Sequence, residues 1–230
     1  MFLFNIAINN SMRFKLWLEG MGIDTDDIQY GKLDADTEKL SKADHPWFKV
    51  NYSKLDISPP PKNTSSQTKK ELKELEKMSH TTSKKLIKYI RSIDVHQVVP
   101  FVEYCKKHDL KVNEKHLKGI LEQIEPIGLR LKNKYQRPRP YQIAPQMGLN
   151  IKDHNFKTSK SPAYPSNHSL ISSVIALYLS DIYSNHKEGF MKIADDIGMS
   201  RLYGGVHYRS DHNAARKVAY QLFKNSKVPK

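Results

Sequence analysis

The sequence predicts an all-α protein: a helical bundle with its candidate reactive side chains at helix ends and in loops, preceded by a mixed, irregular N-terminal extension. Three observations carry that expectation. Apolar residues recur at helical spacing through residues 67–135 and 169–225, as in Leu117, Ile120, Leu121, Ile124 and Ile127. Strand-type alternation is scarce. No internal repeat is visible.

Residues 1–60 are weakly periodic. Two acidic clusters, Asp24/Asp26/Asp27 and Asp34/Asp36/Glu38, precede the aromatic stretch Asp44-His45-Pro46-Trp47-Phe48. Short irregular elements packed on the main body are expected there. Pro59-Pro60-Pro61 and the polar run Lys62–Ser66 read as a linker, so the chain divides into an extension, 1–60, and a helical domain, 61–230. Lys69–Lys77 is rich in Lys, Glu and Leu, strong helix formers whose charges suit a solvated face. Ser83–Asp94 is amphipathic through Leu86, Ile87 and Ile90. Val95–His108 continues with Pro100 as an early-turn proline or a kink. Asn113–Tyr135 is a long helix that Pro126 should bend. The proline-rich residues 138–168 read as an extended loop. Ser169–Ser184 is the most apolar helix and the expected centre of the bundle. Glu188–Ile197 and Asp211–Asn225 complete it.

The 230 residues carry a net charge of +14, unevenly spread. Residues 1–60 are net −2 and residues 61–230 net +16. A basic body suits a phosphorylated or polyanionic partner. Cys105 is the only cysteine, so no intramolecular disulfide forms and nothing points to an oxidising compartment. Met1–Ile8 is apolar, but no basic residue precedes it and Asn9-Asn10 ends it early, unlike a secretory signal. The longest apolar run, Leu170–Tyr183, is too short and too polar to span a bilayer. The expectation is a soluble, cytoplasmic protein.

Three stretches carry chemistry. Ser200–Asp211 places Arg201, His207 and Asp211 at fixed offsets around Gly204-Gly205. On a helix, His207 and Asp211 would share a face, and the carboxylate would take one ring N–H and leave the other nitrogen as a lone pair. Lys132–Pro140 puts basic residues at a helix end, with Pro138 and Pro140 stiffening the backbone around Arg139. Tyr164–Ser169 opens the apolar helix, where Ser166 or Asn167 can cap it and His168 stands in the first turn, at a natural oxyanion site.

Together the stretches read Lys-x6-Arg-Pro from Lys132 to Pro140, Pro-Ser-x-His over residues 165–168, and Ser-Arg-x5-His-x3-Asp over residues 200–211. This order resembles the type 2 phosphatidic acid phosphatase superfamily, which includes bacterial non-specific acid phosphatases and vanadium haloperoxidases. The resemblance covers about residues 85–225. It implies a metal-independent phosphatase acting on phosphomonoesters or diphosphates through a phosphohistidine, vanadate-sensitive and without a cofactor. By the same resemblance His207 is the nucleophile, Asp211 its orienting carboxylate and His168 the general acid. Lys132, Arg139 and Arg201, with the amides near Ser166 and Asn167, hold the phosphate oxygens. The family usually has glycine at the position of Asn167. Glycine there permits positive φ, and Asn is the non-glycine residue that best tolerates it. The lipid-phosphate branch is typically membrane-spanning, so the absence of a spanning segment here points to the soluble branch. The expected partner is a phosphorylated small-molecule or lipid-like substrate, with no stable nucleic-acid partner. Three other readings compete: a vanadate-dependent haloperoxidase on the same scaffold, a non-catalytic basic module binding nucleic acid or phosphorylated partners, and a metal phosphohydrolase built on Asp211-His212.

Overall fold

The computed structural model describes residues 24–152, 154 and 156–229. The Met1–Ile8 stretch and the start of the extension lie outside them. Among the described residues the regular structure is helical, with one isolated bridge between Phe48 and Ser226. The helices are α1 (Ala35–Ser41), α2 (Ser66–Thr81), α3 (Lys84–Val95), α4 (Val99–Lys107), α5 (Glu114–Tyr135), α6 (Pro140–Ile143), α7 (Asn167–Ile182), α8 (Lys187–Tyr203) and α9 (Arg209–Lys224). Side-chain caps set several starts: Asp34 accepts from Thr37 N, Ser65 from Thr68 N, Ser83 from Leu86 N and Asn113 from His116 N.

The apolar helix is central, as its composition requires. Every residue of α7 from His168 to Ser180 is buried, enclosed by α5, α8 and α9. Leu170, Ile171, Val174, Ile175 and Leu179 meet Ile120, Ile124, Ile127, Phe190, Ile197 and Val218 in one core. A fully buried aliphatic side chain of this kind stabilises the fold by about 1.5–3 kcal/mol. The serines of α7 tolerate burial because they find acceptors: Ser172 Oγ donates to Ala194 O (3.2 Å) and Ser180 Oγ to Ala176 O (2.6 Å).

Several boundaries differ from the sequence reading. His96–Val98 separates α3 from α4, with Pro100 in the first turn of α4, where its missing N–H is harmless. Pro126 stands inside α5 without ending it. The expected loop 138–168 contains α6 and a 3-10 turn, Ala144–Met147. Helix α8 runs past Ile197 to Tyr203, so Arg201 is helical.

The described part of the extension is fastened to the bundle. Arg130 of α5 donates to Ser41 O (2.6 Å) and Ala43 O (3.0 Å), holding α1 against α5. Phe48 joins the core, and Trp47 covers Gly119 so closely that an added Cβ would lie 2.8 Å from the indole. The linker-like stretch is tied down too: Asn63 donates to Thr25 O and Ile28 O, and Thr64 N to Asp26.

Candidate active site

The last turn of α5, the loop to α6, the start of α7 and the α8–α9 turn converge on one cavity of about 510 Å³. Lys132, Arg139, Asn167, His168 and His207 line it, with Gln97, Glu125, Thr158, Lys157 and Lys160. Residues Asp34–Thr37 and Leu40 of the extension close one side. Thus the extension, whose role the sequence left open, forms part of the wall.

His207 precedes α9 rather than lying on it, so it does not share a helical face with Asp211 as the four-residue spacing suggested. The two still meet. Gly205 (φ +70°) turns the chain, and Asp211 occupies the third position of α9. Its Oδ2 accepts the Tyr208 N–H (2.9 Å) and lies 3.0 Å from His207 Nδ1. Asp211 is thus a helix cap and a histidine partner together. Its other oxygen accepts from Arg137 Nη1 (2.5 Å), and that guanidinium lies over the Tyr208 ring.

The opposite ring nitrogen of His207, Nε2, lies 2.9 Å from Arg139 Nη1. Arginine has only N–H donors, so Nε2 must accept. The proton then sits on Nδ1 and is donated to Asp211. Burial, followed by the charges of Arg139, Lys132 and Arg201, holds the imidazole pKa well below its ordinary value. His207 is neutral with a lone pair at Nε2.

The cations are fixed by carbonyls. Arg139 Nε donates to Ser161 O and Nη1 to Val206 O, both at 2.7 Å. Lys132 Nζ donates to Pro162 O and Ala163 O. Burial first, and the neighbouring arginine charges, lower the Lys132 pKa well below its usual range. Arg201 sits a layer behind the cavity wall. It pairs with the buried Asp94 (2.7 Å), donates to Thr158 and stacks over Phe156, while its buried Nε has no partner among the described residues. Its burial lowers its pKa to about 10. His168 Nε2 donates to Asp94 O (3.0 Å), and burial and then Arg201 depress its pKa well below the ordinary value.

Asn167 is the first residue of α7 and does not occupy the positive-φ region expected of it. Helical geometry holds its backbone, and its side chain lies against Gly128 of α5. Ser166 caps α7 with its hydroxyl turned to Ser169 N (3.4 Å) and Ser169 Oγ (3.1 Å), and is not part of the cavity wall. Asn167 and His168, at the start of α7, have N–H groups with no intrahelical acceptor.

The PAP2 superfamily model matches residues 117–223. That segment resembles the PAP2 superfamily over slightly less than half of the chain. It holds His207, Asp211, His168, Lys132, Arg139 and Arg201. The chain is 37% identical over 106 residues to a non-specific acid phosphatase of Providencia stuartii, covering 46% of this chain and 42% of that one. It is 30% identical over 102 residues to an acid phosphatase of Zymomonas mobilis, covering 44% and 38%. The match therefore spans about two-fifths of these relatives. The crystal structure of a bacterial vanadium-dependent iodoperoxidase superposes with a TM-score of 0.66 at 17% identity, over 88% of this chain and 60% of that one, which shows a shared fold. Among the described residues, no helix is long and apolar enough to cross a membrane.

The site leans on residues that motif reading passed over. Asp94 lies outside the matched segment but holds Arg201, Thr158 and His168. Its trace in the sequence is an acid on the apolar stripe of Ile90 and Ile93. Glu71 of α2, read as part of a solvated face, is buried and accepts from Ser210 N (3.1 Å) and Oγ (2.7 Å) beside Arg137.

Proposed function

We propose that this chain hydrolyses phosphoric esters by transferring the phosphoryl group to His207 Nε2. The observation that carries this reading is the ring's orientation. Asp211 accepts the Nδ1–H hydrogen bond, and Nε2, which accepts from Arg139 Nη1 until a phosphoryl group takes that donor, belongs to a residue lining the cavity with Arg139 and Lys132. In the first step the Nε2–P bond forms as the P–O bond to the alcohol breaks. His168 supplies the proton that the leaving oxygen needs. In the second step water attacks phosphorus, its proton passes to His168, and His207 departs neutral. Lys132 and Arg139 counter charge on the phosphoryl oxygens. The N–H groups at the start of α7 extend that cradle, and Arg201 adds positive charge from behind the wall.

The buried His168 is neutral in the empty site, because burial and Arg201 disfavour its charged form. The ester monoanion therefore supplies the acid proton on entry, which favours acidic conditions. The cationic cradle supplies the charge a divalent ion would otherwise bring, so the reaction is metal-independent. Small phosphomonoesters suit the polar cavity.

The test is phosphate release across a panel of phosphoesters, with rapid acid and base quench. Acid-labile, base-stable phosphate on the protein is expected during turnover, absent in His207→Ala and unaffected by EDTA. Direct hydrolysis by water would be indicated by turnover without trapped phosphate and near-normal activity of His207→Ala. Orthovanadate is expected to inhibit. Halide oxidation by peroxide in its presence would favour the haloperoxidase reading.

A further inference from the structure

Asp211 and His212 are adjacent but serve different networks. Asp211 contacts His207, whereas His212 contacts Ser169 of α7. His212 is 2% exposed. Its Nε2 lies 3.2 Å from Asp195 Oδ1 of α8, and its Nδ1 lies 2.9 Å from Ser169 Oγ. Ser169 Oγ is in turn 3.1 Å from Ser166 Oγ, the cap of α7. Gly198 of α8 makes room for this chain: an added Cβ would lie 2.2 Å from His212 Nδ1 and 2.8 Å from Ser169 Oγ.

The proton directions follow from the two ends. Asp195 accepts, so Nε2 carries the hydrogen and Nδ1 is the acceptor. Ser169 Oγ–H must then donate to Nδ1, leaving its lone pairs for the Ser166 Oγ–H. Ser166 Oγ keeps a lone pair for Ser169 N–H, the capping bond. All members are satisfied in one direction only. A charged His212 would have to donate to Ser169, turn that hydroxyl toward Ser166 and strand the Ser166 proton. Burial lowers the His212 pKa, Asp195 opposes that, and Arg216 and Arg209 of α9 reinforce it. Arg216 also pairs with Asp195 (3.1 Å), and Arg209 is held by Glu74 of α2.

We propose that His212 is a positioning residue for the phosphate cradle: through Ser169 it fixes the Ser166 cap and hence the first turn of α7, which presents Asn167 and His168 to the substrate. The assignment rests on the phosphatase reading only for its consequence in turnover, not for its effect on anion binding.

The experiment measures orthovanadate affinity and kcat/KM for an alkyl phosphate in His212→Leu, Ser169→Ala, their double variant and His212→Asn. Asn can place its amide oxygen where Nδ1 stood and still accept from Ser169. The expected result is an affinity weakened by about tenfold in His212→Leu and in Ser169→Ala, no further loss in the double variant, and recovery to within about threefold in His212→Asn. Ser169→Ala tests the same link should His212→Leu fail to fold. Both single variants within about twofold of the parent, or losses that multiply in the double variant, would overturn the assignment. A parent chain that binds vanadate but releases no phosphate from any ester would sink the phosphatase reading while the affinity series still judged His212. A parent that binds no vanadate would overturn both.

Discussion

At the scale of single residues, the site is a set of buried ionisable groups whose charge states are set by burial and by one another. Burial holds Lys132, His168 and His207 below their ordinary pKa values. A phosphate anion would oppose the neighbouring cations that disfavour charge on His168, so in the proposed reaction that ring gains a proton on binding. Titration calorimetry with inorganic phosphate at about pH 8, where the ligand enters as the dianion and His168 must draw its proton from solution, should therefore show net proton uptake, seen as an enthalpy that changes with the ionisation heat of the buffer, and affinity should rise as pH falls. An enthalpy independent of buffer would contradict this. Arg139 should resist even a charge-conserving change. It reaches two carbonyls and the His207 lone pair with one planar fork. Arg139→Lys is expected to lower kcat/KM by about a hundredfold or more, whereas Lys84→Ala, on an exposed face of α3, should leave it unchanged. Equal small losses in both would mean diffuse electrostatics rather than an aimed group. Much of this level was legible in the sequence. The spacing of His207, Asp211, Arg139 and Lys132 gave the constellation, because side-chain type at fixed offsets survives even when the local conformation is misjudged. Arg137 was not separable from its basic neighbours. Its role depends on Asp211, 74 positions later, and on Glu71, 66 positions earlier.

At the scale of elements, long apolar helices were the easy part. Helix α7 is buried on every side, so its composition alone announced a central position. The misses share one cause: contacts from distant elements decide what a local pattern leaves open. Helix α8 runs to Tyr203 because Leu202 has a pocket with Leu72 and Leu75 of α2. Asp94 ends an amphipathic helix like any polar residue until Arg201 and Thr158 arrive to pair with it. Helix α1 is the element with the most testable role. It walls the cavity from outside the PAP2 segment, and Arg130 holds its C-terminal end by two carbonyl bonds. Arg130→Met should free that wall. The expected effect is a KM for aryl phosphates raised roughly tenfold, with inhibition by inorganic phosphate little changed. Parallel losses for both would place the effect in the cradle instead.

At the scale of the whole molecule, the buried neutral histidines link stability to pH. His168, His207 and His212 all have folded-state pKa values below the unfolded value of about 6.5. Below that pH the unfolded chain binds more protons than the folded one, so stability falls as pH drops from about 6.5 toward the depressed values. Above it these groups contribute no pH dependence. Thermal unfolding should show a lower Tm at pH 5 than at pH 7, with saturating phosphate restoring part of the loss at pH 5. A Tm that rises on acidification would show that carboxylates dominate instead. The protein would then work best under the acidity that loosens it, with substrate as the compensating brace.

Gly128 and Asn167 stand back to back where helix α5, which carries Lys132, meets the cavity-facing start of α7. A Cβ at 128 would lie 1.8 Å from Asn167 Oδ1. The two positions therefore share one fixed volume, and what one gains the other must surrender. Gly128→Ala alone should shift the start of α7 outward and reduce both stability and kcat/KM. Adding Asn167→Gly should restore much of each, since the amide's space then receives the methyl group. Measured as a double-mutant cycle, a large favourable coupling is expected, and simple additivity would refute it. The gap between α5 and the start of α7 is then a conserved sum rather than a property of either residue, and in the proposed phosphatase the size of the leaving group admitted would be tuned by trading atoms across that seam while His207 and His168 stay unchanged.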